Sequence, residues 1–419
     1  MKPETWNLEP GTHHPQSIPL LTNKRILLGI TGGIAVYKVC TLASHLTQAG
    51  AQVDVVMTEA ATRFVAPLTF EALTGRPAYT DMWRRSGEGL PTHIAHVGLA
   101  HAADLLVIAP ATANTIAKWA HGLADNLLST LLLAATCPAM AVPAMDAGMW
   151  SHPATQANVA LLRERGVHFV GPARGRMASG LEGEGRMVEP EEILGHIRWL
   201  LGRSGPLAGW RVVVTAGPTR EPLDPVRFIS NPSSGRQGFA LAQAALDRGA
   251  EVTLITGPVH LPTPVGVQRV EVTTVEQMRD AVLAACASAD LLLMAAAVGD
   301  YRPATVAAQK IKKGGPLTLH LERTPDILAA VAERRAVTGF PRRVVGFAAE
   351  SERLVEHAHA KMEEKGLDWI VANDITASDA GFAVETNRVV ILGRDGSVEE
   401  LPLMNKAEVA EAVLALVMK

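Results

Sequence analysis

Cysteine is scarce in this chain, and its scarcity limits the kinds of site that the chain can carry. Cys40, Cys137 and Cys286 are the three cysteines among 419 residues, and no two of them have CxxC spacing. Disulfide frameworks and structural zinc sites need paired or clustered cysteines, so the sequence favours neither. The spacing is typical of a protein of the reducing cytoplasm.

A strong net charge and an apolar leading segment are also lacking. The formal net charge is -3 and no block of Lys and Arg stands out, so we expect no nucleic-acid partner. The first 24 residues hold four prolines and no continuous apolar core, which argues against a signal peptide or a membrane span. We expect a loose tail over residues 1–23, with His13 and His14 as a solvated pair.

Small aliphatic residues are abundant instead. Hydrophobic residues make up 48% of the chain and aromatic residues only 4%, which suits α/β domains whose parallel strands are buried on both faces. The chain is longer than the length of about 250 to 300 residues at which single cores stop growing. Two domains are therefore expected, at residues 24–201 and 209–419, with a Gly- and Pro-rich linker at 202–208.

Hydrophobic periodicity predicts alternating strands and helices in both halves. The strands of the first half are "KRILLGI", "AQVDVVMT", "ADLLVIAPA", "AMAVPAM" and "VHFV", with helices from Gly32 to Gly50, near 112–122, over 154–165 and at "EPEEILGHIRWLL". The strands of the second half are "WRVVVTAG", "AEVTLITG", "ADLLLMAAAV", "RRVVGFAAE" and "DWIVAND", with helices at 238–249, 274–287, 325–335 and 352–366. A hairpin turned at Asp395–Gly396 and a terminal helix follow. This alternation predicts doubly wound sheets of Rossmann or flavodoxin type.

Four segments of the first half carry candidate chemistry at strand ends. "GITGGIAVYK" suits a phosphate held at a helix start, although a plain tight turn gives the same letters. "THIAHVGLAHAAD" holds His93, His96 and His101, which are candidates for a base, for a metal pair or for packed structural histidines. "APATANTIAKWAHGLADN" and "PAMDAGMW" follow later strands, at the edge where open α/β sheets bind ligands. A core gap filled by methionine is the alternative for the last segment.

Together, in order and spacing, these segments resemble the flavin-dependent cysteine decarboxylases over residues 24–190. The resemblance implies a site for FMN built by residues of three segments: Thr31, Gly32, Gly33, Thr58, Pro110, Thr112 and Asn114. It implies that His96 is the base, because "HVGLA" fits the HxxLA motif of the family. It also implies a flap over the site, residues 170–187 ("VGPARGRMASGLEGEGRM"), and substrate contacts from Met145, Asp146 and Arg174.

Two positions depart from the family pattern. Asp146 stands where the family has an asparagine that donates to the substrate carboxylate, and two ionised carboxylates 4 Å apart repel by ~4 kcal/mol at an effective dielectric near 20. Either Asp146 is protonated, or it faces elsewhere and Arg174 or Arg176 binds the carboxylate. Ser179 stands where many members place a cysteine as the proton donor, and a hydroxyl is a much weaker acid than a thiol.

The second half has its own polar strand ends. "VVVTAGPTREPLDPVRFISNPSSGRQGFALA" supplies the cationic forks of Arg220 and Arg227 and donors at a helix start, which suits a phosphate ligand. "MAAAVGDYRPATVAAQKIKK" carries Asp300 and Lys310, although its lysines taken alone could be a solvated basic edge. "TPDI", "GFAAES" and "VANDI" repeat the pattern of polar tips. These segments resemble phosphopantothenate-cysteine ligase over residues 209–419.

The ligase resemblance implies the roles of particular residues. Lys310 would stabilise charge on the transferring phosphate, and Asn231 would position an acyl-cytidylate for attack by cysteine. The residues implied to hold CTP are Met294, Ala295, Ala296, Asp300, Pro325, Asp326, Ile327, Leu328, Phe347, Lys361 and Lys365. Lys361 and Lys365 lie four apart on a predicted helix, so both can reach one triphosphate. Mg²⁺ is expected with the nucleotide.

The whole chain thus resembles the bifunctional decarboxylase-ligases of bacterial coenzyme A synthesis. We expect two doubly wound Rossmann-like α/β domains, the first a flavodoxin-like flavoprotein domain and the second a CTP-binding ligase domain. The resemblance implies a cytoplasmic homo-oligomer, a dodecamer, acting on 4'-phosphopantothenate, L-cysteine and CTP. One alternative is an active ligase fused to a flavin domain that decarboxylates poorly. A nicotinamide oxidoreductase is a second alternative, but no GxGxxG motif supports it.

Overall fold

The structure, a computed structural model, describes residues 17–83, 95–178, 180–350, 353–374 and 386–419. The chain divides into two compact units, Met1–Leu201 (unit 1) and Gly202–Lys419 (unit 2). His93 and Ser179 lie outside the described residues, as do His13 and His14.

Unit 1 is an α/β unit. Its strands are β1 Arg25–Ile30, β2 Gln52–Met57, β3 Ala78–Tyr79, β4 Leu105–Ala111, β5 Ala139–Pro143, β6 His168–Phe169, β7 Ala173–Arg176 and β8 Glu182–Arg186. Its helices are α1 Val36–Gln48, α2 Glu59–Thr62, α3 Pro67–Thr74, α4 Ala95–Ala102, α5 Ala113–His121, α6 Leu127–Ala134, α7 Ala147–Ser151, α8 Pro153–Glu164 and α9 Pro190–Gly202, with a 3₁₀ turn at Pro19–Leu21.

The first six strands form one parallel sheet in the order β3-β2-β1-β4-β5-β6. Of the two doubly wound types that the sequence leaves open, this order is that of the Rossmann type. Side chains of α1, α3 and α9 pack on one face of the sheet, and those of α4, α5, α6 and α8 pack on the other. Coverage of both faces explains why the strands read as nearly continuous apolar runs.

The tail prediction is wrong for residues 17–23. Leu21 is fully buried in the core of unit 1, and the N–H of Ile18 donates to the Ala49 carbonyl at 3.0 Å. Two apolar side chains have enough surface to dock this short stretch on the end of α1, even though the prolines around them suggest a loose segment.

The flap is a two-stranded hairpin of β7 and β8. A Cβ atom at Gly185 would lie 2.2 Å from the Met145 carbonyl oxygen, and one at Gly183 would lie 2.7 Å from the Cβ of Ala147. The N–H of Met145 donates to the Gly185 carbonyl at 2.9 Å. These two glycines therefore serve the close approach of β8 to the loop after β5.

Unit 2 holds the remaining elements. Its strands are β9 Arg211–Ala216, β10 Arg220–Pro222, β11 Phe228–Ser230, β12 Glu251–Thr256, β13 Gln268–Glu271, β14 Leu291–Met294, β15 Tyr301–Pro303, β16 Leu321–Arg323, β17 Arg343–Glu350, β18 Trp369–Asp374, β19 Thr386–Asn387, β20 Val389–Gly393, β21 Val398–Glu400 and β22 Met404–Asn405. Its helices are α10 Arg236–Asp247, α11 Val275–Ala285, α12 Ile327–Thr338, α13 Leu354–Glu364 and α14 Lys406–Val417, with a 3₁₀ turn at Cys286–Ser288.

The main sheet of unit 2 has the order β13-β12-β9-β14-β17-β18-β20-β21. It is parallel up to β18, and the hairpin β20–β21 completes it in antiparallel fashion. The predicted turn is confirmed, because Gly396 has a φ of 85° and Asp395 Oδ1 accepts the Ser397 N–H at 3.0 Å. Side chains of α11, α12 and α13 pack together on one face of this sheet.

Residues 202–208, predicted as a linker, are built into unit 2. Leu207 is fully buried, and its N–H donates to the Arg248 carbonyl at 2.7 Å. Gly205 lies so close to the same carbonyl oxygen that a Cβ atom there would be 2.4 Å away. The composition indicates a turn-rich segment, but one leucine and close backbone packing fix it in place.

The predicted helices and long strands are otherwise present, with ends shifted by a few residues. α1 begins at Val36, later than predicted, because Thr31–Ala35 form a loop. The sequence does not predict the two-stranded ribbons β10–β11 and β15–β16. Each of their strands has three residues, which is too short to show a hydrophobic period. Within the described ranges, no helix has both the length and the apolar character needed to cross a bilayer.

Candidate active sites

The loops after β1 and β4 meet at the carboxyl edge of the first sheet. Thr31, which is 1% exposed, donates its hydroxyl to the Pro110 carbonyl at 2.5 Å and accepts the Thr112 N–H at 3.3 Å. Thr112 also caps α5. These strands are neighbours at the point where the strand order reverses, which is where open α/β sheets bind their ligands.

The same edge offers an uncapped helix start. No side chain caps the N-terminus of α1, whereas Thr58 caps α2 through the Ala61 N–H at 3.2 Å. A Cβ atom at Gly32 would lie 2.4 Å from the Cβ of Ala60, so only glycine fits where the two loops touch. Gly33 and the exposed Asn114 complete the predicted set at this edge. A helix start without a side-chain cap suits a phosphate group.

His96 is the second residue of α4. α4 is followed directly by β4. The first residues of α4 therefore lie near the carboxyl edge of the sheet. The Nδ1 atom of His96 is buried and has no hydrogen-bond partner within the described parts of the chain. A buried polar atom without a partner costs free energy, so its retention indicates a functional role.

The loop after β5 carries the predicted substrate contacts. Asp146 Oδ1 accepts the Gly148 N–H at 3.0 Å and caps α7. One oxygen of this carboxylate is thus engaged with its own helix. Arg174 and Arg176 are exposed on β7 of the flap, while Ser179 lies outside the described residues.

Unit 2 contains a cleft of about 730 Å³ at the carboxyl edge of its sheet. The cleft brings together predicted residues from separate segments: Asn231, Met294, Ala295, Ala296, Asp300, Pro325, Asp326, Ile327, Leu328, Phe347, Lys361 and Lys365. Its volume is typical of a site for a small molecule.

The start of α10 forms one wall of the cleft. Its N-cap, Gly235, has a φ of 78° and no side-chain cap, and the N-terminus of a helix attracts an anion. Gly238 lets the helix approach β9, since a Cβ atom there would lie 2.5 Å from the Cβ of Ala216. Nearby, the Asn231 amide donates to the Ala297 and Val298 carbonyls at 3.3 and 3.1 Å.

Two lysines reach the cleft from α13 and its end. α13 stops at Glu364, so Lys365 is the C-cap and not a helical residue as predicted, although its N–H still donates to the Lys361 carbonyl at 3.0 Å. Lys365 Nζ lies 2.8 Å from Asp326 Oδ2. The hydrogen bond to Asp326 raises the pKa of Lys365, with a smaller contribution from Glu364. Burial works against ionisation of Asp326, but Lys365 and backbone N–H groups outweigh it and lower the pKa of this carboxyl.

Lys310 does not line the cleft of its own unit. It is exposed in the segment between β15 and β16, which is tied to the turn after β10. Asp224, buried there, accepts the N–H groups of Val226 and Arg227 at 2.8 Å and that of Ile311 at 3.1 Å. Burial opposes ionisation of Asp224, yet these donors hold its pKa below the ordinary value. Arg227 donates to the Ile311 carbonyl.

Several cleft residues are missing from the sequence prediction. Asn387, which is 6% exposed, and Gln237 each have a buried amide oxygen without a hydrogen-bond partner in the described part of the chain. The buried Lys406 also lines the cleft. No motif marks them, because they come from a two-residue strand and from helix starts. Among the described residues, no three His, Cys, Asp or Glu side chains cluster to hold a metal.

Comparisons with known proteins assign each unit to a class. The family model "Flavoprotein" matches residues 17–202, and the model "DNA/pantothenate metabolism flavoprotein C-terminal domain" matches residues 207–419. The chain is thus a flavoprotein unit followed by a pantothenate-metabolism unit.

Full-length relatives have the same arrangement. The coenzyme A biosynthesis bifunctional protein CoaBC of Bacillus subtilis is 46% identical over 399 residues, which is 94% of this chain and 97% of that protein. Its counterpart from Vibrio cholerae is 46% identical over 400 residues, covering 95% and 98%. The chain belongs to the family of coenzyme A biosynthesis bifunctional proteins. It is a bifunctional enzyme with a flavoprotein decarboxylase unit and a ligase unit.

Solved structures resemble each unit separately. The C-terminal domain of a CoaBC protein is 40% identical, covers 50% of this chain and 94% of its own, and has a TM-score of 0.43. The FMN binding protein AtHal3 is 35% identical, covers 42% and 95%, and has a TM-score of 0.38.

Proposed function

We propose that unit 2 joins 4'-phosphopantothenate to L-cysteine at the cost of CTP. A carboxylate is inert to amines at neutral pH, so the carboxylate first displaces pyrophosphate from CTP to give an acyl-cytidylate. The cysteine amine then displaces CMP and forms the amide. The observation that carries this proposal is the single cleft, which gathers the predicted nucleotide residues of separate segments beside an uncapped helix start.

The roles in unit 2 follow from charge and position. The N–H groups at the start of α10, together with Lys361 and Lys365, are placed to bind the triphosphate. Asn231 and Asp300 line other parts of the same cleft. Lys310 acts on the reacting phosphate only if the segment between β15 and β16 moves it to a cleft. We therefore propose that binding of the ligand brings Lys310 to the reacting phosphate. Mg²⁺ accompanies the triphosphate, since hard cations bind nucleotide phosphates.

We propose that unit 1 decarboxylates the product of unit 2, 4'-phosphopantothenoylcysteine, to 4'-phosphopantetheine. FMN fits its carboxyl edge: the uncapped start of α1 suits the phosphate, and Thr31, Gly32, Gly33, Pro110 and Thr112 form the surrounding loops. When bound, FMN supplies a temporary electron acceptor that makes loss of CO₂ feasible.

The chain's own residues supply the proton transfer and the binding in unit 1. His96, whose Nδ1 has no partner in the described structure, is placed to take a proton from the substrate. Because Asp146 caps α7, we propose that Arg174 or Arg176 of the flap binds the substrate carboxylate. Ser179 remains the candidate for delivering a proton at the end. We further propose a cytoplasmic homo-oligomer, in keeping with the family.

Two single substitutions, each assayed in the full reaction, test whether the two activities belong to separate units. The full chain is given CTP, phosphopantothenate and cysteine, with FMN. His96→Asn should lower CO₂ release by about 10²- to 10⁴-fold, the usual worth of a general base, while CMP formation continues. Lys310→Ala should stop CMP formation but leave CO₂ release from added phosphopantothenoylcysteine intact.

The outcomes separate the alternatives. A wild-type chain that stops at phosphopantothenoylcysteine would mean that unit 1 binds flavin without decarboxylating. Loss of both activities in His96→Asn would contradict two independent sites. Acyl-cytidylate formation at the wild-type rate in Lys310→Ala would remove Lys310 from the reaction.

A further inference from the structure

The helix that follows the proposed phosphate loop carries a buried lysine with no role in the chemistry above. Lys38 is 7% exposed and lies in the first turn of α1. A cation is unfavourable at a helix N-terminus, where the free N–H groups already carry partial positive charge. A buried charge also needs partners. The partners of Lys38 therefore explain why a lysine is present here.

Those partners lie at the returning end of the flap and directly after it, in residues 187–189, which we call the stem of the flap. Lys38 Nζ donates to the Met187 carbonyl at 3.1 Å and to Glu189 Oε1 at 2.8 Å. The same carboxylate oxygen accepts Arg186 Nη2 at 2.7 Å. The hydrogen bond from Lys38 is the main reason why the pKa of Glu189 lies below its ordinary value, with burial opposing it. Arg186 ends β8 and Glu189 directly precedes α9, so this cluster fixes the point where the flap rejoins the body of unit 1.

The flap touches the substrate loop just before this anchor. Gly185 of β8 accepts the Met145 N–H at 2.9 Å and leaves no room for a side chain against the Met145 carbonyl. The strand between the loop and the anchor is therefore short and tightly docked. Three residues, 186–188, separate this contact from Glu189.

We propose that Lys38 is a positioning residue of the decarboxylase, which sets the flap relative to the cofactor loop through Met187 and Glu189. The inference rests on the proposed function of unit 1. Lys38 touches the stem of the flap, and it acts on the substrate only through that stem.

Lys38→Met in the full chain tests the proposal, because methionine fills a similar volume without charge or donors. We expect kcat/KM for decarboxylation to fall by about tenfold or more, mainly through KM, since misplaced binding groups are costly. Amides of residues 182–188 should exchange hydrogen faster in the protein without FMN. The Kd for FMN should stay within about twofold of wild type, because the phosphate loop itself is intact. Lys38→Arg should recover part of the loss.

Two controls accompany this variant. Lys24→Met breaks a more exposed ion pair of unit 1, Lys24 with Asp104 at 2.9 Å, which is remote from the flap in the chain, and should match wild type in every readout. Glu189→Gln keeps an acceptor but removes the negative charge, and should give a smaller loss than Lys38→Met. CMP formation by unit 2 of the same chain reports the amount of enzyme present, and the stoichiometry of FMN binding reports the folding of unit 1.

Wild-type kcat/KM and wild-type exchange at 182–188 in Lys38→Met would overturn the proposal. So would a loss of FMN binding equal to the loss of activity, because that would assign Lys38 to the cofactor site. If wild type itself releases no CO₂, the proposed function fails instead, and the exchange and FMN measurements still decide whether Lys38 holds the flap.

Discussion

At the scale of single residues, the cleft of unit 2 pairs one of its lysines with an aspartate of the same cleft. Lys365 is paired with Asp326, which also caps α12 through the Ala329 N–H at 2.9 Å. The side chain of Asp326 is thus used twice within the protein. We infer that the segment Pro325–Leu328 would contact the nucleotide mainly through its backbone.

Asp326→Asn isolates the charge of this residue, since asparagine caps helices as well as aspartate does. Lys365 would lose its partner and become available to the triphosphate. We expect CTP to bind about two- to fivefold more tightly by calorimetric titration, the worth of a partly exposed ion pair. Binding weaker than wild type by tenfold or more would show instead that the Asp326 carboxylate contacts the ligand or its metal ion.

Two single residues, Asp146 and Ser179, depart from the family motifs. Asp146 is explained in part, because a carboxylate is a good cap for α7 and one oxygen is engaged there. Ser179 stays a prediction from the sequence, since it lies outside the described residues.

At the scale of elements, β6 and α9 are joined by a histidine pair. His168 Nε2 lies 2.9 Å from His196 Nδ1, and the ring of Trp199 lies 5.1 Å from that of His168. Burial, with a smaller effect from the charge of His168, lowers the pKa of His196 to about 4. The pair can share one hydrogen bond only while at least one ring is neutral.

This pair predicts a pH dependence of the stability of unit 1. Between pH 6.5 and about 4 the unfolded chain protonates His196 and the folded chain does not, so the unfolded state binds more protons. Stability is therefore complete above pH 6.5 and is lost as the pH falls toward 4, by on the order of 1 to 3 kcal/mol. His196→Gln should flatten this slope in urea unfolding of the full chain, followed by hydrogen exchange in α9. An equal slope in both proteins would contradict the assignment.

Elements also show where sequence patterns have limits. Long strands and helices were predictable, because burial on two faces or on one stripe leaves a clear period. The ribbons β10–β11 and β15–β16 were not predictable, since strands of three residues carry no period. Lys365 fell outside α13 for a related reason, because the last turn of a helix is set by local packing and capping.

At the scale of the whole molecule, each unit has its own sheet and its own buried cores. The boundary at Leu201 and Gly202 differs from the predicted start of the second domain at residue 209. The difference matters because Leu207 is part of unit 2.

Two fragments test this boundary. Residues 202–419 should fold and form CMP, whereas residues 209–419 should be less stable by about 2 to 5 kcal/mol, the usual cost of losing a buried leucine. Denaturant unfolding of both fragments measures the difference. Equal stability would mean that residues 202–208 are a linker after all. Leu207→Ala in the longer fragment is the matched variant, and it should reproduce most of the loss.

The sequence by itself determined the fold class and the order of the long elements, because these depend on periodicity, and its resemblance to the ligase family indicated most residues of the cleft. Family motifs added His96 and the loops of the first site. Only the tertiary structure decided that Lys365 pairs with Asp326 and that Lys38 pairs with Glu189. Such pairs join residues distant in the chain, and their identity depends on how helices and loops dock, which no local pattern encodes.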